Sequence, residues 1–309
     1  MKFLKVTIAL IVIMFLMLIG YHFLRKDHFI SKEKVITDFS FPESKFIDWN
    51  GKKIHVIERG SGVTVFLVHG LGASLNEFEG LSKRLAENYK VVSFDLPGFG
   101  LSDVPEEENP DFQVIYKDFM HFIIDKYASD SCYLIGNSMG GLIAWNTVLE
   151  EPTKIKKMVL LAPAGYDMEK IAKKNAAWIN TPITKFVLAK GAPKSIAESN
   201  VKMCFYKDDE IDNDLFKRKY AFMNKEGNLD YLKKFATYNK FTDTALIKTI
   251  NCPTLIIWGD KDEIIPFEHA AKFKRDLPNS QLIVYKDCGH VPQIEEANKC
   301  TEDIQNFLK

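Results

Sequence analysis

Three residues that can cooperate in nucleophilic catalysis occur along the chain in the order serine, aspartate, histidine. Ser138 lies in the segment Gly136–Gly141, which reads Gly-Asn-Ser-Met-Gly-Gly and has the form G-x-S-x-G. Because a serine hydroxyl is a weak nucleophile, it needs a general base and an acid that orients the base. His290 is the candidate base and Asp262 the candidate acid. The chemistry that this set predicts is acyl transfer through a covalent intermediate on Ser138.

Each of the three residues follows a short apolar run that is typical of a buried strand. These runs are Cys132–Ile135, Thr254–Trp258 and Gln281–Tyr285. Parallel strands end at the same edge of a sheet, so the loops that follow them are expected to meet there. Two aspartates compete for the acid role after the second run. Asp262 is preferred, because Asp260 directly follows a turn glycine and can cap that turn instead.

Backbone amides that could stabilise an oxyanion are predicted at two places. His69–Gly72 reads His-Gly-Leu-Gly and follows the apolar run Val63–Val68. Where a sharp strand-to-helix turn carries the nucleophile, one donor is the amide after the serine and the other comes from the loop after an earlier strand. We therefore assign the two donors to the backbone N–H groups of Leu71 and Met139.

Strand-like and helix-like segments alternate along most of the chain, which predicts an α/β fold with a mostly parallel, doubly wound sheet. Asn50-Gly51 lies between two further strand-like runs and indicates a hairpin. Residues 167–245 interrupt the alternation with several helical segments and no clear strand. The predicted organisation is a core formed by residues 41–166 and 246–309, with residues 167–245 inserted as a helical cap.

The N-terminal segment predicts an attachment to a membrane. Val6–Leu24 is apolar and uncharged over 19 residues, which is just long enough to cross a hydrocarbon core. A cleaved signal peptide is the alternative, but no small-residue cleavage pattern follows the apolar run. Residues 1–26 are therefore predicted to be an uncleaved single-pass anchor and residues 27–40 a polar linker. Basic residues flank both ends, so the side of the membrane on which the core lies is left open.

Composition excludes some partners. The chain has 41 basic and 41 acidic residues, and this lack of net charge argues against binding to nucleic acid. Five scattered cysteines form no CxxC pair and no Cys/His cluster, so neither a metal site nor a disulfide framework is predicted. No cofactor is implied.

From residue 41 onward, the chain resembles the α/β-hydrolase superfamily. The resemblance is carried by His69-Gly70, Asp95–Asp103, Gly136–Gly141, Gly259–Asp262 and Gly289-His290. Two groups within this superfamily are most similar. Membrane-anchored monoacylglycerol lipases share an N-terminal anchor, a Ser-Met-Gly-Gly turn and a Cys-Gly-His segment. Cofactor-free hydrolases that cleave carbon–carbon bonds of dienone acids (meta-cleavage product hydrolases) share the whole Gly-Asn-Ser-Met-Gly-Gly segment.

The resemblance implies a serine hydrolase, and the two groups imply different substrates. We expect a membrane-tethered lipase or esterase that acts on a small apolar ester such as a monoacylglycerol. The carbon–carbon bond hydrolases usually have a tryptophan after the catalytic histidine, where this chain has Val291, and use a cap arginine, for which Arg218 is a candidate. That activity remains the alternative. A non-catalytic binding protein of the same fold is a further alternative, although such proteins typically lose one of the three catalytic residues.

Overall fold

The computed structural model describes residues 2–24, 27–208 and 211–309. Within these residues, eight strands form one sheet in the order β1-β2-β4-β3-β5-β6-β7-β8. β1 and β2 pair antiparallel, β2 pairs antiparallel with β4, and the remaining pairs are parallel. The strands are β1 (Lys45–Trp49), β2 (Lys52–Arg59), β3 (Thr64–Val68), β4 (Lys90–Phe94), β5 (Cys132–Asn137), β6 (Ile155–Leu161), β7 (Thr254–Gly259) and β8 (Ser280–Tyr285).

Helices cover both faces of the sheet, as expected for a mostly parallel sheet. In chain order, the α-helices are α1 (Lys2–Leu24), α2 (Lys32–Phe39), α3 (Glu79–Leu85), α4 (Phe112–Tyr127), α5 (Met139–Glu150), α6 (Met168–Ile179), α7 (Pro182–Leu188), α8 (Lys194–Lys202), α9 (Asn213–Asn224), α10 (Asn228–Ala236), α11 (Glu268–Asp276), α12 (Pro292–Glu295) and α13 (Ala297–Leu308). Short 3₁₀ helices span Leu75–Phe78 and Thr244–Thr249. Side chains of α4, α5 and α11 pack on one face of the sheet, and those of α3 and α13 pack on the other. The predicted doubly wound α/β fold is confirmed.

The sheet places the three candidate catalytic residues at one edge. β5, β7 and β8 run parallel to one another. β7 and β8 are adjacent, and β6 lies between β5 and β7. Their carboxyl ends lead directly into the loops of Ser138, Asp262 and His290. β3 is buried along its whole length beside β5, so the loop after β3 reaches the same edge.

The N-terminal residues form two helices. α1 contains the apolar run, and large side chains such as Leu10 and Phe15 are about three-fifths exposed, at 61% and 62%. No helix among the described residues is both long and apolar enough to cross a membrane. The predicted anchor at residues 1–26 is therefore not supported, and residues 1, 25 and 26 of it lie outside the described residues.

The segment predicted as a polar linker, residues 27–40, is folded against the rest of the protein. Val35 of α2 is fully buried in a cluster with Leu101 of the core and with Ala221 and Phe222 of α9. Ile30 forms a parallel bridge with Lys225 at the end of α9. This segment therefore fastens the cap to the core.

A buried lysine lies where residues 27–40, the cap and the core meet. Lys225 is 1% exposed and its Nζ donates a hydrogen bond to the Ser102 carbonyl. Burial lowers the pKa of its ammonium group from 10.5 to about 8, and the nearby carboxylates of Asp95 and Asp103 oppose that shift. The Asp95 carboxylate is already occupied by a 2.8 Å hydrogen bond with His55 Nδ1. The buried ammonium group of Lys225 thus loses its proton more readily than that of an exposed lysine.

Replacement of Lys225 with methionine is expected to change how stability depends on pH. Since the folded-state pKa is depressed, the unfolded chain holds the proton between about pH 8 and pH 10.5 while the folded chain releases it. The Lys225 contribution to the free energy of unfolding therefore rises with pH in that window, by at most about 1.4 kcal/mol per pH unit. Urea titrations of both proteins at several pH values measure the difference. A difference that stays constant from pH 7 to pH 10 would contradict the assignment.

Candidate active site

Ser138 occupies a strained turn between β5 and α5. Its backbone has φ 56° and ψ −118°, a conformation that L side chains adopt rarely. The turn is possible because its neighbours are glycines. A Cβ on Gly136 would lie 2.3 Å from the Gly140 carbonyl oxygen, and one on Gly140 would lie 1.9 Å from the Val68 carbonyl oxygen. The sequence thus brings the start of α5 against β3 and places Ser138 at the edge of the sheet.

His290 and Asp262 are in contact. His290 Nδ1 and Asp262 Oδ2 are 2.8 Å apart, and both side chains are almost fully buried. The other carboxylate oxygen of Asp262 accepts hydrogen bonds from the backbone N–H groups of Ile264 and Ile265, at 2.8 and 2.9 Å. These amides fix the carboxylate, so that Asp262 holds a proton on Nδ1 of His290. Nε2 is then the nitrogen that can accept a proton.

Asp260, the rival for the acid role, faces a different partner. Its Oδ1 accepts a 2.7 Å hydrogen bond from the backbone of Asp287, and its Oδ2 pairs with Lys261 at 3.0 Å. These contacts join the loop after β7 to the loop after β8. Asp260 therefore shapes the loops, and the structure brings Asp262 rather than Asp260 to His290.

The predicted oxyanion donors lie on either side of Ser138. Neither the Leu71 nor the Met139 amide has a hydrogen-bond acceptor among the described residues. The loop that carries Leu71 packs closely on the nucleophile, since a Cβ on Gly70 would lie 3.2 Å from Ser138 Cβ. Met139 begins α5, where backbone N–H groups and the helix dipole favour negative charge. Both amides are thus free to receive a developing oxyanion.

His69 fixes one of these donors through its ring. The side chain is fully buried, and its Nε2 accepts a 2.9 Å hydrogen bond from the backbone N–H of Leu96. Its Nδ1 is 2.8 Å from the Gly70 carbonyl oxygen. Since Nε2 accepts, Nδ1 carries the proton and donates to that carbonyl. Burial lowers the pKa of His69, so the neutral ring persists in spite of nearby Asp95.

The planar peptide between Gly70 and Leu71 makes His69 a positioning residue. Fixing the Gly70 carbonyl also fixes the direction of the Leu71 N–H on the other side of the same peptide. Replacement of His69 with alanine is expected to lower kcat for ester hydrolysis by about 10- to 100-fold, with little change in KM. Replacement with asparagine, which keeps a short donor, should restore part of the loss. Steady-state kinetics of the three proteins test this, and an unchanged kcat in the alanine variant would refute the role.

Further contacts hold the His290 loop, and the sequence does not reveal them. Asn137 Nδ2 donates to the carbonyl oxygens of Leu161 and His290, at 3.0 and 3.1 Å, and so ties the nucleophile strand to the base. The His290 N–H donates to the Cys204 carbonyl of the cap at 2.8 Å. Glu295 accepts from the backbone N–H groups of Gly289 and of Tyr206 in the cap, both at 2.8 Å. The cap is therefore bonded directly to the loop that carries the base.

A small, mixed pocket lies beside the His290 loop. Its free volume is about 30 Å³, and it lies between the loop after β3 and the cap. Apolar side chains line one part: Val201, Phe205, Leu215, Phe222, Val291 and Ile294. Charged side chains line the other part: Glu77, Arg218 and Lys219.

The three charged residues of this pocket differ in their contacts. Lys219 Nζ donates to the Gly72 carbonyl at 2.9 Å, next to the predicted oxyanion donor. Burial raises the pKa of Glu77, and the charges of Lys219 and His290 oppose that shift. Arg218, the candidate carboxylate ligand, is instead bound to Asp214 at 2.6 Å. Its guanidinium also lies 5.4 Å from the ring centroids of Phe39 and Phe41. Lys219 is thus the cation that bonds Gly72, next to Leu71.

No group of three histidine, cysteine or acidic side chains among the described residues is arranged to hold a metal ion.

Comparisons with known proteins agree with this architecture. Residues 63–297 match the family model described as alpha/beta hydrolase fold. A 2-hydroxy-6-oxo-6-phenylhexa-2,4-dienoate hydrolase of Burkholderia cepacia is 27% identical over 282 residues, which is 86% of this chain and 96% of the relative. Lipase 1 of Psychrobacter immobilis is 28% identical over 273 residues, covering 84% of this chain and 81% of the lipase.

The comparison of structures gives the same fold. The crystal structure of a putative lipase from Acinetobacter baumannii has a TM-score of 0.74 and 23% identity, over 90% of this chain and 96% of that one. The matched family model spans the candidate residues Ser138, Asp262 and His290, and more than half of the chain. The chain is therefore a hydrolase that belongs to the alpha/beta hydrolase fold family.

Proposed function

We propose that this hydrolase cleaves carboxylic esters through an acyl-enzyme on Ser138. The observation that carries the proposal is the buried pair of His290 and Asp262, 2.8 Å apart, at the sheet edge where the strained turn presents Ser138. A base held in one tautomer beside a serine on such a turn suits nucleophilic attack on a carbonyl carbon.

The reaction follows from the positions of these groups. The Ser138 hydroxyl attacks the ester carbonyl while His290 Nε2 takes its proton, and the oxyanion accepts hydrogen bonds from the amides of Leu71 and Met139. His290 then gives the proton to the leaving alcohol, which leaves the acyl group on Ser138. A water molecule that loses its proton to His290 attacks this acyl-enzyme and releases the acid. Asp262 stabilises the imidazolium of His290 in both halves of the reaction.

The pocket beside His290 supports a small or apolar acyl group. Its free volume of about 30 Å³ is enough for about one or two water molecules. To bind in this pocket, an ester must therefore displace cap side chains such as Phe205 and Phe222, or widen the cap. Those side chains are apolar, so the binding energy gained from an acyl chain would come from burial of its surface. A lipid ester is the proposed substrate class, as in the Psychrobacter immobilis relative whose name is Lipase 1.

Attachment to a membrane through residues 1–26 stays a prediction. The exposed apolar side chains of α1 favour contact with lipid, whereas no described helix reaches the length and apolarity of a membrane span. Removal of residues 1–26 is expected to spare the hydrolysis of soluble esters and to slow that of esters in vesicles. Equal rates on vesicles for both forms would refute the attachment.

Carbon–carbon bond hydrolysis of a dienone acid is the second candidate. It is favoured by Lys219, whose ammonium lies at the oxyanion loop beside Glu77 and could pair with a substrate carboxylate. The Burkholderia cepacia relative is named for such an acid. Val291 lies where the carbon–carbon hydrolases usually have tryptophan, which is the reason that we place the ester reaction first.

A comparison of substrates separates the two reactions. The full chain is assayed with p-nitrophenyl esters of increasing acyl length and with 2-hydroxy-6-oxo-6-phenylhexa-2,4-dienoate. The ester proposal predicts turnover of the esters, with a kcat/KM that Lys219→Gln leaves within about threefold, because neutral esters have no carboxylate for Lys219. Turnover of the dienone acid alone, lowered in Lys219→Gln through a higher KM, would replace it with the second candidate. Failure of a fluorophosphonate to label Ser138 would favour the non-catalytic alternative.

A further inference from the structure

The outer face of the cap carries a concentration of positive charge that the triad chemistry does not use. Residues 168–202, which contain α6, α7 and α8, have seven lysines and two glutamates, whereas the whole chain has no net charge. The ammonium groups of Lys170, Lys174 and Lys185 form no ion pair or hydrogen bond with any described residue, and all three side chains are exposed. This face is therefore positive and its charge is not neutralised within the fold.

Two large apolar side chains are exposed on the same pair of helices. Trp178 of α6 is 55% exposed and Ile183 of α7 is 71% exposed. Lys170, Lys174 and Trp178 follow one another at four-residue spacing, so they lie on one face of α6, while Ala172 of the same helix is buried. An exposed tryptophan and isoleucine bordered by lysines are the composition of a helix face that lies in the interface of a bilayer.

A groove with basic walls adjoins these side chains. It has a free volume of about 400 Å³ and lies between the end of α6, α7 and α10. Lys185, Lys233 and Lys234 line it together with the apolar side chains of Ile179 and Leu188. Lys233 pairs with Asp230 and Lys234 donates to the Glu107 carbonyl, so the Lys185 ammonium is the group in this groove that has no partner among the described residues and can take a phosphate headgroup.

The chain enters the folded domain beside this face. α1 ends at Leu24, and four residues later the His28 N–H donates a 2.8 Å hydrogen bond to the carbonyl of Lys190, just after α7. α1 itself exposes large apolar side chains such as Phe15 and Met17, which are 62% and 64% exposed. The apolar N-terminal helix is thus connected to the domain next to the C-terminal end of α7, the helix that carries Ile183.

We propose that α6 and α7 dock on the surface of a bilayer that contains anionic phospholipids, through the face of Lys170, Lys174 and Trp178, the exposed side chain of Ile183, and Lys185 at the adjoining groove. Trp178 and Ile183 insert among the headgroups, and the three lysines pair with lipid phosphates. This inference goes beyond the proposed ester hydrolysis and does not depend on it. Its consequence is that the cap, which is bonded to the His290 loop through Cys204 and Tyr206, rests on the lipid surface.

The tryptophans of the chain provide a local reporter for this surface. Trp178 is the exposed tryptophan, while Trp49, Trp145 and Trp258 are at most 8% exposed. Fluorescence of the full chain is measured with vesicles of phosphatidylcholine alone and of phosphatidylcholine mixed with phosphatidylglycerol, each with and without brominated acyl chains. We expect brominated chains to quench Trp178 in the anionic vesicles, and Trp178→Phe to abolish this quenching.

A charge variant tests the lysines separately. Lys170→Glu/Lys174→Glu/Lys185→Glu is expected to weaken binding to anionic vesicles by at least about tenfold, since each lysine near such a surface contributes to attraction. Lys126→Glu/Lys156→Glu/Lys286→Glu makes the same change in net charge on exposed positions of the core, and it should weaken binding much less. Vesicle co-sedimentation measures both.

Three results would overturn the proposal. Vesicle binding without quenching of Trp178 would mean that α1 or another surface makes the contact. Equal binding by the cap variant and the core variant would mean that only net charge matters. Equal quenching in vesicles with and without phosphatidylglycerol would remove the role of the lysines.

Ester turnover by each variant is also measured in the absence of vesicles and is expected to be unchanged. This control shows that the active site is intact and keeps the test of membrane docking separate from the test of the ester reaction.

Discussion

Replacement of Ser138 with alanine is expected to lower kcat for hydrolysis of a p-nitrophenyl ester by roughly 10⁴- to 10⁶-fold, with a small change in KM. The loss is large because without the Ser138 oxygen no acyl-enzyme can form, and the remaining oxyanion donors give only a residual acceleration of direct attack by water. The variant should fold normally. Alanine at this position keeps the same backbone strain as serine and removes a hydroxyl that makes no hydrogen bond with a described residue.

Ser93→Ala is the matched control for this variant. Ser93 is buried, at 1% exposure, whereas Ser138 is partly exposed, and the Ser93 hydroxyl likewise has no hydrogen-bond partner among the described residues. It lies within β4, away from the loops that form the site. We expect wild-type kinetics for Ser93→Ala, and labelling by a fluorophosphonate in the wild type and Ser93→Ala but not in Ser138→Ala. If Ser138→Ala kept a tenth or more of the activity, another nucleophile would have to be found.

The strands and the nucleophile turn were predictable because short-range patterns determine them. The runs Cys132–Ile135, Thr254–Trp258 and Gln281–Tyr285 were predicted to be strands, and they lie within β5, β7 and β8. The glycines around Ser138 indicate a turn in which backbones approach, and the close contacts of Gly136 and Gly140 supply the physical reason. Sequence patterns of this kind depend on neighbours within a few residues, so they can be interpreted without knowledge of the fold.

The contacts that position the site depend on residues far apart in the chain, and the sequence did not reveal them. Asn137 bonds the carbonyl of His290, which lies 153 residues away. His69 bonds Leu96, and Lys219 of the cap bonds Gly72, across 27 and 147 residues. Nothing in the local sequence marks Lys219 as different from the other lysines of the cap. Lys219 differs from them only because α9 packs on the loop after β3 and brings its ammonium group to the Gly72 carbonyl.

The N-terminal segment shows the limits of a composition argument. Residues 27–40 are polar enough to suggest an extended linker, yet one buried side chain, Val35, and the bridge between Ile30 and Lys225 fix the segment to the cap. A few apolar residues in a polar segment carry little statistical weight. Val35 becomes decisive only because α9 and the core loop near Leu101 provide an apolar environment for it.

The choice between two aspartates is decided by a matched pair of variants. Asp262→Asn is expected to lower kcat by roughly 10³- to 10⁴-fold, because an asparagine amide would favour the wrong tautomer of His290 and would not stabilise the imidazolium. Its size is conserved, so the hydrogen bonds from the Ile264 and Ile265 amides can remain at the carbonyl oxygen of the side chain. The measurement is kcat and KM for a short-chain ester.

Asp260→Asn makes the same chemical change two residues earlier. It retains an acceptor for the Asp287 N–H and loses the ion pair with Lys261, which is partly exposed and therefore of little energetic value. We expect kcat to fall less than tenfold and the midpoint of thermal unfolding to fall by a few degrees at most. If Asp260→Asn rather than Asp262→Asn caused the large loss, the orienting acid would be Asp260, and the loops after β7 and β8 would have to rearrange during catalysis.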